Sequence, residues 1–240
     1  MAGVRRLQSD QMTRTLVYTI SMEVMQTMMI SPEVYYKEFL QGKDQESILE
    51  QICLLREKTS WLKQLLEYDD HGEKEATIMP SSMTRIKCNR EYLEMAKRAL
   101  EEAGGHYEST EEELRDQSFN MNLTHMHEFT LEIGGFFSGY TKYMYTISGN
   151  KVIVDAEHSY IYKPTAPPVF ESFTREEYLQ SIASFHMGEW KQRYDNPYVL
   201  DGTQWSIDIQ YDSNMDPVEF YGSNAFPYNF QELLDFLKIK

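Results

Sequence analysis

Two imidazoles spaced two residues apart are the first feature with chemical potential. His125 and His127 form His-x-His, and on a β-strand residues i and i+2 share a face. That spacing can present two nitrogen ligands to one zinc-like ion. Glu128, Asp155 and Glu157 are within sequence reach as oxygen ligands. A third histidine, His158, falls on the same face as Tyr143, Tyr145 and Val154 if the Gly149-Asn150 turn sets the register. The metal candidates are therefore His125, His127 and His158. The competing reading is three ordinary histidines, each with a hydrogen-bonded ring, because zinc needs three or four convergent ligands and the spacing argues for two. His186 could act as a general base, but no nucleophile sits beside it in the sequence.

Reaction-specific motifs are missing. The chain has no P-loop, no GxGxxG after a strand, no HExxH, no GxSxG and no CxxC. Glu176-Glu177 suits the first turn of a helix, where negative charge is favoured. Glu101-Glu102 and Glu111 to Glu113 read as solvated faces. Asp201 suits a turn better than a general base. The sequence thus names no catalytic residue and no cofactor, and weighs towards binding rather than catalysis.

The elements that would position these groups divide by period. Ser31-Pro32 starts a helix to about Leu40. Asp44 caps a longer one to about Tyr68, with Ile48, Ile52, Leu55, Leu62 and Leu66 on one face. Leu49, Cys53, Trp61 and Leu65 widen that stripe. A short strand is expected within 78–88, and Asn89 is expected to cap a third helix ending at Gly104-Gly105. Thr110 with Glu113 reads as a capping box for one short turn. Thr13 to Met25 alternates and reads as a strand. From Asn120 the period becomes two, with His127, Phe129, Leu131 and Ile133 on one face, and Gly134-Gly135 reads as a bulge or bend.

The hairpin around Gly149-Asn150 fixes pairs: Ile147 with Val152, Tyr145 with Val154, Tyr143 with Ala156 and Lys142 with Glu157. The Pro-rich stretch from Lys163 to Phe173 is an extended loop. Thr174 with Glu177 caps a helix carrying Tyr178, Ile182 and Phe185. Arg193 to Leu200 reads as an irregular link.

The clearest strand lies beyond it. Trp205, Ile207, Ile209 and Tyr211 alternate with Gln204, Ser206, Asp208 and Gln210, the pattern of an antiparallel strand with one wet face. Val218 and Phe220 begin the return strand. Asn229 with Glu232 reads as a capping box for a helix striped by Phe230, Leu233, Leu234 and Leu237. Asp201, Gly202, Trp205, Gly222, Asn224 and Pro227 are the residues expected to hold this shape. The order DGTQW, alternating strand, YGSNAFP, NFQELLDFL resembles the tail of uncharacterised proteins of Gram-positive, gut-type bacteria. The resemblance covers about the last third of the chain and implies shape, with no activity attached.

The expected fold is α+β: an antiparallel sheet with helices packed on one face and a helix-rich N-terminal half. The parts are a loose tail, 1–11, a helix-rich part, 12–118, and a sheet part with two helices, 119–240. If the strand near residue 20 joins the sheet, these make one continuous domain.

Composition supplies the functional weight. The chain has 240 residues, 41% hydrophobic and 13% aromatic, so it can bury a core. Cys53 and Cys88 are too few for a disulfide scaffold and read as small buried hydrophobes. No apolar run is long enough to span a membrane, and the N-terminus reads as no signal peptide, so a cytoplasmic protein without membrane contact is expected. The net charge of −15 is shared by both halves and speaks against direct nucleic-acid binding. With 17 Tyr and 14 Met to supply interface anchors, it suits occlusion of a basic partner protein. An immunity-, inhibitor- or anti-defence-type module of a bacterium, phage or mobile element follows. The alternatives are a metal or small-ligand enzyme using the sheet histidines, and a housekeeping protein whose acidity serves solubility.

Overall fold

A computed structural model describes residues 29–68, 80–159, 173–199, 202–212 and 214–239. The expected strand at 13–25, most of the Pro-rich loop and Asp201 lie outside them. The fold is α+β, with six α-helices and one six-stranded sheet among the described residues. It divides into two compact units, one from the described residues of 1–64 and 71–107, the other from those of 65–70 and 108–240.

The described residues of the first unit are helical. Helix α1 is Pro32–Tyr35, capped by the Ser31 hydroxyl and continued as a π-helix over Tyr36–Leu40. Helix α2 is Gln45–Tyr68, and Asp44 Oδ1 accepts the Ser47 amide at its start. Helix α3 is Ser82–Glu102. It replaces both the strand expected within 78–88 and the cap expected at Asn89. Ser81 takes the capping role, accepting the Thr84 amide, and Ser82, Ile86, Ala96 and Leu100 are buried at helical spacing. Tyr35 stacks on Tyr92 at 4.3 Å between ring centroids, and Ile48, Ile52 and Leu55 close the core around them. The wide stripe expected on α2 is narrower in the structure: Leu49, Cys53 and Trp61 are exposed. Cys53 directly follows buried Ile52 and so projects about 100° away from it.

The second unit holds the sheet. Helix α4 is Glu111–Asn122, opened by the Thr110–Glu113 capping box, and is a full helix rather than one turn. Its C-terminus runs through a 3₁₀ turn, Leu123–His125, into β1, Met126–Gly135. Strand β2 is Gly139–Ser148 and β3 is Lys151–His158. Helix α5, Arg175–Ser184, has the expected Thr174–Glu177 capping box. Strand β4 is Arg193–Asp195, β5 is Gln204–Tyr211, β6 is Val218–Ser223 and helix α6 is Phe230–Phe236. The order across the sheet is β3-β2-β1-β5-β6-β4, antiparallel except for β4 beside β6. The segment read as an irregular link thus contributes a short parallel edge strand.

The hairpin register is the expected one at all four pairs, Lys142–Glu157 included. Carried across the sheet, it sorts the side chains onto two faces. Phe129, Leu131, Tyr145, Trp205, Ile207, Ile209 and Phe220 form the packed face. Helices cover it: Tyr178 of α5 stacks on Tyr145, Phe230 of α6 lies 4.6 Å from Trp205, and Tyr145 donates to the Leu237 carbonyl.

Two local expectations change. Strand β1 runs through Gly134-Gly135 in unbroken register, and the bulge lies instead at His127, between Met126 and Glu128. Asn229 makes no cap bond. Its carboxamide is buried between two other partners, accepting from Trp190 Nε1 at 3.0 Å and donating to the Phe185 carbonyl at 2.7 Å. Two buried partners outweigh one helix amide that neighbouring backbone groups or water can satisfy.

Candidate functional site

The bulge decides the fate of the histidine pair. The extra residue in β1 lets Met126 and Phe129 both turn inward, and His127 is left exposed. His125 sits in the 3₁₀ turn, exposed, 4.0 Å from an Asp212 oxygen. His158 pairs with Thr141 at the far end of the sheet, its Nδ1 2.8 Å from the Thr141 hydroxyl. Thr141 in turn pairs with Ile133, six residues along β1 from His127. At about 3.4 Å per residue that is roughly 20 Å. The structure therefore does not bring His125, His127 and His158 together.

The residues expected to hold shape have these surroundings where they are described. Trp205 is 3% exposed and donates from Nε1 to the Ala225 carbonyl at 2.9 Å. Gly222 lies against the indole, and a Cβ there would overlap the ring. Asn224 adopts φ 55°, a left-handed conformation that Asn tolerates, and its Nδ2 donates to the Val199 carbonyl. Gly202 packs on the Asn224 carboxamide, and Pro227 is buried.

The opposite face of the sheet carries the charge. Across it the register aligns Glu157, Lys142, Glu132, Ser206 and Tyr221, and beside them Asp155, Met144, Thr130, Asp208 and Glu219. Glu128 lies on the same face one row further along. Alternate residues on a strand and neighbours across strands place these groups about 5–7 Å apart. Asp208 and Glu219 are directly opposite each other, an arrangement that destabilises a strand pair. Gln210 Nε2 donates to Asp208 and the Tyr221 hydroxyl to Glu219, so both carboxylates are oriented. The bond to Glu219, with burial and the Glu219 and Asp208 charges, holds the Tyr221 phenol above its ordinary range. Where β4 borders β6, a cavity of about 430 Å³ opens on this face, lined by Glu132, Tyr140, Arg193, Asp195 and Tyr221.

A second polar cluster was not foreseen. Asp116 and Asn120 stand one turn apart on α4, His186 precedes a 3₁₀ turn, Met187–Glu189, and Glu189 ends it. His186 Nδ1 lies 2.7 Å from Asp116 Oδ2, and Asn120 Nδ2 donates to the same oxygen at 3.2 Å. Glu189 accepts from the Tyr228 hydroxyl at 3.1 Å. The sequence signals were the i, i+4 pair Asp116–Asn120 and the i, i+3 pair His186–Glu189. Nothing local says that they meet.

Fold and face together define a class: an α+β protein with helices on one side of a mostly antiparallel sheet and carboxylates on the other. Compared with protein-family models, curated proteins and solved structures, the chain matches none of them. Among the described residues no helix is long and apolar enough to cross a membrane.

Proposed function

We propose that the chain is a non-enzymatic protein-binding module that occludes a basic partner protein with the carboxylate face of its sheet. The observation that supports it is the Asp208–Glu219 juxtaposition on the β5–β6 side of that face, with Glu132 and Glu128 on the neighbouring strand β1. Like charges opposed in a ladder cost the free protein stability, and a cationic surface laid over them turns the repulsion into attraction. The partner that fits is a protein carrying an Arg/Lys surface for phosphates, such as a nuclease or another nucleic-acid-binding effector. The cavity beside Glu132 has room for one of its basic side chains, with Asp195 on its wall already paired to Arg193. On this reading the protein is of immunity, inhibitor or anti-defence type. It works in the cytoplasm of a bacterium or of a cell carrying a phage or mobile element, where such effectors meet nucleic acid.

The test is capture from the source cell at low and high salt, with three proteins side by side. One is the wild type, one carries Glu132→Gln, Asp208→Asn and Glu219→Gln, and one carries Glu91→Gln, Glu94→Gln and Glu101→Gln on helix α3. Both variants lose the same charge. A basic protein should be recovered at low salt and released in high salt, with its association rate reduced about tenfold or more only by the sheet-face variant. No basic partner at low salt, or equal losses in both variants, refutes the reading.

A further inference from the structure

We propose that Asp116, Asn120, His186 and Glu189 form a binding site for a divalent transition ion of the Zn²⁺ or Mn²⁺ type. The site draws on α4 and the 3₁₀ turn, not on the sheet face, and is independent of the docking function.

Backbone geometry builds it from two directions. Positions i and i+4 share a face of an α-helix, so Asp116 and Asn120 project together. His186 precedes the 3₁₀ turn Met187–Glu189 and Glu189 ends it, and both side chains come within reach of Asp116. His186 itself has φ 50° and ψ 45°, a left-handed conformation uncommon outside glycine, and this reverses the chain into the turn. Gly188 then lets the turn lie against α4. A Cβ there would overlap the Asp116 backbone and sit 2.8 Å from the Arg115 carbonyl. One ligand atom from each of Asp116, His186 and Glu189 lies within 4.8 Å of the others.

The unmet valences point to a cation. Asp116 is 8% exposed as a residue and 11% at its side chain, yet its Oδ1 has no hydrogen-bond partner. The buried Oδ1 of Asn120, one turn along, has none either. Two orphaned acceptor oxygens beside an imidazole call for a positive charge more than for another donor. The converging donors are one imidazole nitrogen and two carboxylates, and a turned-over Asn120 carboxamide, whose Nδ2 faces Asp116 in this structure, would add its oxygen. That mixture suits a borderline ion; a hard ion such as Ca²⁺ prefers oxygen alone. The ion takes the place of the proton shared by Asp116 and His186. Bonds of about 2.0–2.1 Å in tetrahedral geometry separate two ligand atoms by about 3.3 Å. The 2.7 Å Asp116–His186 contact therefore opens by about half an ångström, and the rest of the site draws in.

The test is equilibrium dialysis of the chelator-stripped full chain against Zn²⁺ and, separately, Mn²⁺, with bound metal counted by elemental analysis. One equivalent should bind. Asp116→Asn and Glu189→Gln keep the shape of each side chain and should weaken binding at least tenfold. Asn120→Asp adds a carboxylate to the same shell and should tighten it about fivefold or more, a gain that a purely structural joint would not show. The triple change His125→Gln, His127→Gln, His158→Gln should leave binding unaltered. Less than a tenth of an equivalent for both ions, an unchanged affinity in Asn120→Asp and Glu189→Gln, or loss of binding in the triple histidine variant overturns the proposal.

Discussion

Removing one charge from the sheet face should change stability and binding in opposite senses. Asp208→Asn is the cleanest perturbation, because Gln210 Nε2 donates to Asp208 Oδ1 at 2.6 Å and an asparagine oxygen can accept the same bond. Only the charge opposite Glu219 is lost. Two unit charges about 5–6 Å apart in water repel by about 0.7–0.8 kcal/mol, and cross-strand pairs contribute about 0.2–1 kcal/mol. Both groups are half-buried and salt screens them in part, so the variant should gain about 0.5 kcal/mol. At a slope of about 1–3 kcal/mol/M the urea midpoint rises by roughly 0.2–0.5 M. The assay is urea unfolding followed by tryptophan fluorescence, read mainly from Trp190 and Trp205 inside the sheet unit, at low salt and at about 1 M salt, where the Debye length falls to about 3 Å. The gain should shrink at high salt, while affinity for the basic partner falls. A variant that is less stable than the wild type, or whose gain ignores salt, refutes the idea that Asp208 and Glu219 strain the free protein.

Trp205→Ala should cost about 3–5 kcal/mol in the same unfolding assay, since the indole is buried and also satisfies the Ala225 carbonyl; a loss below about 1 kcal/mol would mean that the sheet packs differently. Asn229→Ala should cost about 1–3 kcal/mol, and Asn229→Ser, a good cap residue too short to bridge Trp190 and Phe185, should not recover it. Rescue by serine would restore the capping interpretation. Burial pushes the Tyr211 phenol up to about 12, against about 10 when unfolded, so the stability it contributes is complete below pH 10 and lost as pH rises through 12. The buried Tyr211 hydroxyl has no hydrogen-bond partner, so Tyr211→Phe should leave midpoints near pH 7 unchanged or higher and flatten their decline from pH 9 to 12; an unaltered slope would refute the assignment.

What could be read from the sequence was local. The Gly149-Asn150 turn dictates the β2–β3 register because two residues leave only one pairing. Trp205 to Tyr211 sorts inward and outward because its period is two. The helix starts at Thr110 and Thr174 are legible because cap and partner lie three residues apart. Features set by distant partners were hidden. Strand β4 has three residues and exists because β6 offers it a parallel edge. The bulge at His127 depends on how β1 meets Tyr211, and removing that imidazole from the packed face undid the histidine site. Asp116 and His186 are seventy positions apart, and the turn that joins them is possible only because residue 188 has no side chain.

If a partner docks as proposed, the edges of the sheet limit how it can approach. At the start of β3, Thr174 bridges to Lys151, and the Arg175 amide donates to the Asn150 carbonyl. Further along β3, Asp155 and Glu157 are exposed. At the opposite edge, β4 is too short to template a long incoming strand. Charged residues and short edge strands are the means by which sheets avoid polymerising with other sheets. This one should therefore stay a single layer at high protein concentration. Recognition would run across its face through side chains, leaving the partner's own backbone hydrogen bonds intact.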